Sequence, residues 1–178
     1  MSDAGQIQKV VDIITSDPER RLVVVSAPGK RFKNDEKVTD MLIGCAQRVL
    51  DGECAAENIA AVVERFESIR ADLDLDTGLV KYVREELSRR LEAPVVSKNG
   101  FMDSVKALGE EFSARFCAAA FEKRGFPARY VDPRDAGMLL SSEFGNARLL
   151  KESYDLLREH LEPICREGIV IFPGFYGY

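Results

Sequence analysis

Apolar positions along this chain follow two rhythms, one near 3.6 residues and one of short unbroken runs, and their alternation lays out the elements. Ile7, Val10, Val11 and Ile14 share one face of a helix over 6–15, with Ser2 or Asp3 placed to cap its start. Residues 21–26 (RLVVVS) form the β-branched run of a buried strand. After a basic turn, Met41, Leu42, Cys45, Ala46 and Val49 predict a helix over 39–50 that stops at Asp51-Gly52. The helical period returns over 54–73 and 78–91, on either side of an acidic turn at 72–76. A single long helix is expected over 102–124, packed through Leu108, Phe112, Phe116, Ala119 and Ala120 and ended by Gly125. Short strands are then expected at 127–132 and 137–141, an amphipathic helix at 149–167, and a buried strand at 169–172 (IVIF).

Strand, helices, strand, helix and strand joined by right-handed crossovers predict an α/β protein, a three-layer α/β/α sandwich with a helical excursion over about 39–124. At 178 residues the chain has room for one sizeable core, so one α/β domain is expected. No internal repeat or low-complexity linker divides it.

Composition narrows the function classes. Hydrophobic residues make up 46% and charged residues 31%, and no apolar run approaches the roughly 20 residues needed to span a bilayer. A net charge of −5, with Lys and Arg scattered among carboxylates, argues against a nucleic-acid partner held through phosphates. The N-terminus lacks the basic flank and apolar stretch of a secretory leader, so a cytoplasmic location is expected. Cys45, Cys54, Cys117 and Cys165 form no CxxC pair and read as small thiols in apolar helical patterns, which excludes a metal or disulfide framework. His160, the single histidine, stands between Glu159 and Glu162 and reads as a surface residue, which removes Ser/His/Asp hydrolysis from consideration.

Three constellations could carry chemistry. Ser26, Ala27, Gly29, Lys30 and Arg31 follow a strand expected to be central, where open α/β sheets bind ligands, although a solvated turn fits them equally. Thr39 heads the next helix, where its hydroxyl either caps the helix, the simpler reading, or binds a carboxylate beside free N–H groups. Gly109 costs a helix roughly 1 kcal/mol relative to Ala, so a close approach is expected there. Beside it, Glu110 is a candidate partner for a substrate ammonium, a solvated helix face being the plainer alternative, while Glu111 points about 100° away and is expected in solvent. Gly174 and Gly177, around Phe175 and Tyr176, fit either a ligand loop or a hairpin turn.

VVVSAPGKR, then KVTDML, then GEEFSA about 70 residues on, then VIFPGFYG together resemble aspartate kinase, a member of the amino acid kinase family, over essentially the whole chain. The resemblance implies an incomplete sandwich of the amino acid kinase type, the N-terminal, amino-acid-binding part of the catalytic domain. The implied reaction is transfer of the ATP γ-phosphoryl group to the β-carboxylate of L-aspartate, the first step toward lysine, methionine and threonine. Such chemistry rests on positioning and charge neutralisation and needs no catalytic His or Cys.

By the same resemblance Thr39 lies near a carboxylate of aspartate and Glu110 near its ammonium, with Ser26, Ala27 and Gly29 forming the loop beside it. Gly174, Phe175 and Gly177 correspond to the nucleotide and active-site loop. ATP and Mg²⁺ are implied, as is a homo-oligomeric parent. The family's Lys-Phe-Gly-Gly strand, which holds its phosphate-stabilising lysine, has no counterpart here, so no catalytic residue and no metal ligand is assigned to this chain. Its Arg-Gly-Gly-Ser-Asp motif, nucleotide-binding half and regulatory domains are also without counterpart, and Ala107 stands where the family usually has Ser. The expectation is an active parent kinase of which these 178 residues alone are inactive. The alternative is a noncatalytic remnant that binds an amino acid or docks on a partner. A kinase acting on glutamate, acetylglutamate or a nucleotide fits less well, since such relatives lack the long helical excursion and the SAPG turn.

Overall fold

A computed structural model of the chain describes residues 1–174 and 176–178. Its centre is a parallel sheet of three strands, β1 (Leu22–Val25), β2 (Ala128–Tyr130) and β3 (Ile169–Pro173), in the order β1-β3-β2. Leu22 pairs with Val170 and Val25 with Pro173, while Ala128 pairs with Ile169 and Tyr130 with Ile171. The strand expected to be central, β1, is therefore an edge of the described sheet, and β3 is the middle. Every residue of β3 is buried, as its unbroken IVIF run requires of a strand covered on both faces.

On one face lie α1 (Ala4–Thr15) and α6 (Leu108–Lys123). Asp3 caps α1, its side chain accepting the Gln6 N–H at 2.9 Å. Four further helices, α2 (Val38–Leu50), α3 (Ala56–Leu73), α4 (Gly78–Leu91) and α5 (Lys98–Lys106), form the excursion beyond α6. The other face carries α7 (Ser153–Glu167), whose Leu161 packs with Val170, Phe172 and Val131. Helix, sheet and helix make the three layers that the chain's pattern predicts.

The main core joins Val23, Val25 and Ile171 of the sheet to the helical layer. Phe66 meets Phe112 edge-on at 5.5 Å between ring centroids and Phe116 at 5.0 Å. Because Gly109, Ser113, Ala114, Cys117 and Ala118 are small, α6 is buried on nearly every side rather than along one stripe, and it touches all three strands as well as α1, α2, α4 and α5. Leu22 and Val24 of β1 share their side of the sheet with Val170 and Phe172, yet α7 does not reach over them, and they stay 47% and 62% exposed.

Several element expectations change. The long helix over 102–124 is two helices separated at Ala107, a residue with helical dihedrals whose N–H still bonds Asp103 O, so periodicity runs through the break unseen. Residues 137–141 are no strand. Gly137 has φ +75°, and only an isolated antiparallel bridge between Leu140 and Leu149 forms, backed by Ser141 N–H to Arg148 O at 2.9 Å. The final helix starts at Ser153 instead of 149, where the Ser153 hydroxyl both accepts from Leu139 N–H and donates to Leu139 O, each at 2.9 Å.

Candidate active site

At the carboxyl ends of β1 and β3 the chain brings three sequence-distant segments together. The first is the turn after β1. Its Pro28 carbonyl accepts the Val38 N–H at 3.0 Å, which ties the turn to the start of α2. The second is the start of α6. A Cβ on Gly109 would lie 2.8 Å from Ala27 Cβ and 3.2 Å from Leu42 Cδ1, so only glycine lets α6 approach both the turn and α2 this closely. The helix-propensity cost at Gly109 thus has a packing reason. The third is Gly174, whose N–H bonds Val25 O at 2.8 Å and whose missing side chain leaves the ends of β1 and β3 in contact.

Glu110 sits at the meeting point. It is half-buried, and its Oε1 accepts the Ala27 N–H at 3.2 Å across 83 residues of sequence. Burial raises its pKa above the ordinary carboxyl value, while the Ala27 N–H and its own backbone N–H pull it partway back. A carboxylate held mostly out of water with one backbone donor retains acceptor capacity for an incoming cation.

Thr39 lies in the first turn of α2. The N-cap is Lys37, whose side chain makes no capping bond, so Thr39 is not the cap that its place in the sequence favoured. Its side chain is half-buried and makes no hydrogen bond among the described residues. Ser26 is exposed, and Gly29 is half-buried with open space where a side chain would stand. Gly177 packs elsewhere, against Met138 and Leu140, where a Cβ would come within 2.7 Å of Met138 O. Phe175 lies outside the described residues.

The basic character of the turn has a structural use. Arg31 forms a two-pronged contact with Asp35, Nε to Oδ2 and Nη2 to Oδ1, both at 2.8 Å. Asp35 also accepts the Arg31 N–H at 2.8 Å and Arg65 Nη1 at 2.7 Å. These bonds, led by Arg31, hold the Asp35 carboxyl well below the usual carboxylate range. Arg65, from α3 and only 4% exposed, also reaches Gly29 O at 2.6 Å and Ser2 O at 3.2 Å. This buried network braces the turn from beneath. Arg65 lies between Val62 and Phe66 on the apolar stripe of α3, and a lone charge inside such a stripe is the sequence signal that identifies it.

Glu111 corrects a second expectation. It is 3% exposed, not solvated, and it accepts from the Tyr82 hydroxyl and from Arg115 Nε at 3.1 Å, with Arg90 Nη2 at 3.8 Å. Helix α6 is enclosed on all sides, so the 100° step from Glu110 leads into α4 and not into water. The cysteines divide as well: Cys45 and Cys117 are buried, and burial pushes their thiols up to about 11 and about 12, whereas Cys54 is exposed. His160 is exposed on α7.

A parallel sheet between helical layers, with a glycine-assisted loop cluster at its carboxyl edge, has the architecture in which α/β proteins hold small ligands. All 178 residues match the amino acid kinase family, and the chain belongs to it. It is 43% identical to Aspartokinase 3 of Bacillus subtilis (strain 168) over its whole length, which is 38% of that protein. It is 26% identical to lysine-sensitive aspartokinase 3 of Escherichia coli (strain K12), covering 99% of this chain and 38% of that one. The fold superimposes on E. coli aspartokinase III, in complex with aspartate and ADP, with a TM-score of 0.77 at 27% identity, over 99% of this chain and 38% of that chain. For Clostridium acetobutylicum aspartate kinase the TM-score is 0.76 at 26% identity, over 99% and 37%. The chain thus spans under two fifths of the relatives it matches. No described helix is long and apolar enough to cross a membrane.

Proposed function

We propose that this chain is the amino-acid-binding part of an aspartate kinase catalytic domain, and that its parent transfers the ATP γ-phosphoryl group to the β-carboxylate of L-aspartate. A carboxylate oxygen of aspartate forms the new bond to the γ-phosphorus, the bond from phosphorus to the bridging oxygen breaks, and ADP leaves with that electron pair. The observation that carries the reading is the convergence of Glu110, Ala27, Gly109 and the start of α2, supported by 43% identity to an aspartokinase along the whole chain.

In this reading Glu110 takes the substrate ammonium, because a half-buried carboxylate gains most from a cation that arrives where water is scarce. The Thr39 hydroxyl, without a partner of its own among the described residues, donates to a substrate carboxylate near the positive end of α2. Ser26, Ala27 and Gly29 shape the wall beside the substrate. Gly174, at the carboxyl end of β3, begins the loop toward the nucleotide. Arg65 and Asp35 position the wall without touching substrate.

Among the described residues no group of three His, Cys, Asp or Glu side chains converges, and no step is assigned through Mg²⁺ here. The parent supplies the ATP side. The open outer face of β1, with Leu22 and Val24 exposed, favours a partial catalytic domain over a self-sufficient binding module. We place the parent as a homo-oligomer in the cytoplasm, acting at the start of lysine, threonine and methionine synthesis. The test is to incubate the full product of the reading frame with ATP and L-aspartate in hydroxylamine, which traps acyl phosphates as hydroxamates. ATP-dependent hydroxamate from aspartate and not from glutamate is expected; its absence would overturn the proposal.

A further inference from the structure

A cavity of about 420 Å³ opens between α4, α6, the turn after β2 and Tyr178. Its lining holds four arginines and three carboxylates, and their bonding is unequal. Glu86 is committed to Arg89, at 2.6 and 2.7 Å, and to Arg90 at 2.8 Å. Glu111 is committed to Tyr82, Arg115 and Arg90. Asp132 accepts the Arg134 N–H at 2.8 Å and the Tyr130 hydroxyl at 3.2 Å.

Two guanidinium groups keep donors to spare. Arg115 gives only its Nε to Glu111, and its terminal nitrogens meet no acceptor among the described residues. Its guanidinium carbon lies 4.3 Å from the Tyr82 ring centre and 4.1 Å from that of Tyr130, so the side chain is clamped between two rings. Arg134 stacks on Tyr178 at 4.0 Å, and its side chain forms no ion pair among the described residues. A planar fork of donors already fixed in place loses little further freedom on binding, and its geometry matches a carboxylate or a phosphate.

We propose that this cavity binds a small oxyanion, a molecule that presents a carboxylate or phosphate group to Arg115 and Arg134, with the Tyr178 hydroxyl as a further donor. The site is distinct from the Glu110 cluster and does not rest on the kinase reading. Glu86 and Glu111 would each have to release an arginine before taking a cation, which favours an anion as the occupant. On helix α6, Glu110 faces the turn after β1 and Glu111 lines the oxyanion site.

The test is a titration of the chain, at constant ionic strength, with sodium phosphate in one arm and sodium succinate in the other, read by the NMR signal of the Arg115 Nε–H. Saturable shifts are expected in at least one arm, phosphate alone identifying a phosphoryl ligand and succinate alone a carboxylate. Arg134→Ala, at an exposed position, should weaken binding by about tenfold or more, as loss of a charge-assisted contact does. Arg124→Ala, which removes only a surface pair with Asp12, should leave binding unchanged. Shifts that never saturate in either arm, or equal binding by the Arg134→Ala chain, would overturn the proposal.

Discussion

Glu110 and Glu111 are neighbours on one helix, and their surroundings could hardly differ more. Glu111 is 3% exposed and engages a tyrosine and two arginines, whereas Glu110 is half-buried and accepts one backbone N–H. A buried carboxylate with a full set of donors holds a structure together. One with a single donor and a raised pKa is held in readiness for a ligand, at some cost to the fold. The difference teaches that degree of satisfaction, more than burial, separates the binding glutamate from the structural one.

The largest effect is expected on the satisfied side. Glu111→Leu takes from Arg115 and the Tyr82 hydroxyl the carboxylate they share and should cost about 3 kcal/mol, measured by urea denaturation. A loss under about 1 kcal/mol would mean that the cluster is not structural. Next comes the brace under the turn. Arg65→Met removes bonds to Gly29 O, Ser2 O and Asp35 and should destabilise by about 3 kcal/mol. Amide hydrogen exchange should rise at 26–37 in that variant, and unchanged protection there would separate Arg65 from the turn.

A smaller effect is expected at the seam between the two. Gly109→Ala puts a methyl 2.8 Å from Ala27 Cβ, and overpacking of this kind costs about 1–3 kcal/mol. It should also shift the Ala27 amide resonance, because Glu110 moves with the helix. The smallest effect carries the opposite sign. The folded pKa of Glu110 lies above its ordinary value of 4.5, so its stabilising contribution is fully present below that value and lost as pH rises through the folded pKa. Glu110→Gln, which cannot ionise, should therefore melt slightly higher than the native chain at pH 7 and level with it near pH 4. A lower melting temperature at pH 7 would place Glu110 with Glu111 as a structural group.

Much of this arrangement was legible in the residues. The β-branched run, the helix stops at Gly52 and Gly125, and the bounds of α4 follow from local rules that the fold does not override. Gly109 was legible as an anomaly, since a glycine in a helix implies a close approach. Other features depend on what the chain brings alongside. The exposure of Glu111 could not be judged by helical angle alone, because α6 is enclosed all round. Likewise β1 resembles a central strand in composition but lies at the edge of the described sheet, with Leu22 and Val24 uncovered. The 137–141 segment has strand-like residues but no neighbouring strand beyond one bridge. Arg31 sits in a turn that the sequence leaves open between ligand loop and solvated surface, and only the fold shows it held by Asp35, which Arg65 also engages.

The most direct test of the account is a calorimetric titration of L-aspartate into the full product of the reading frame, beside the same protein carrying Glu110→Gln. The account predicts saturable binding to the native protein, weakening as pH falls through the raised Glu110 pKa, and its loss in a variant that melts no lower than the parent at pH 7. Equal aspartate affinity in the two proteins, or affinity in the native protein indifferent to pH across that range, would contradict it.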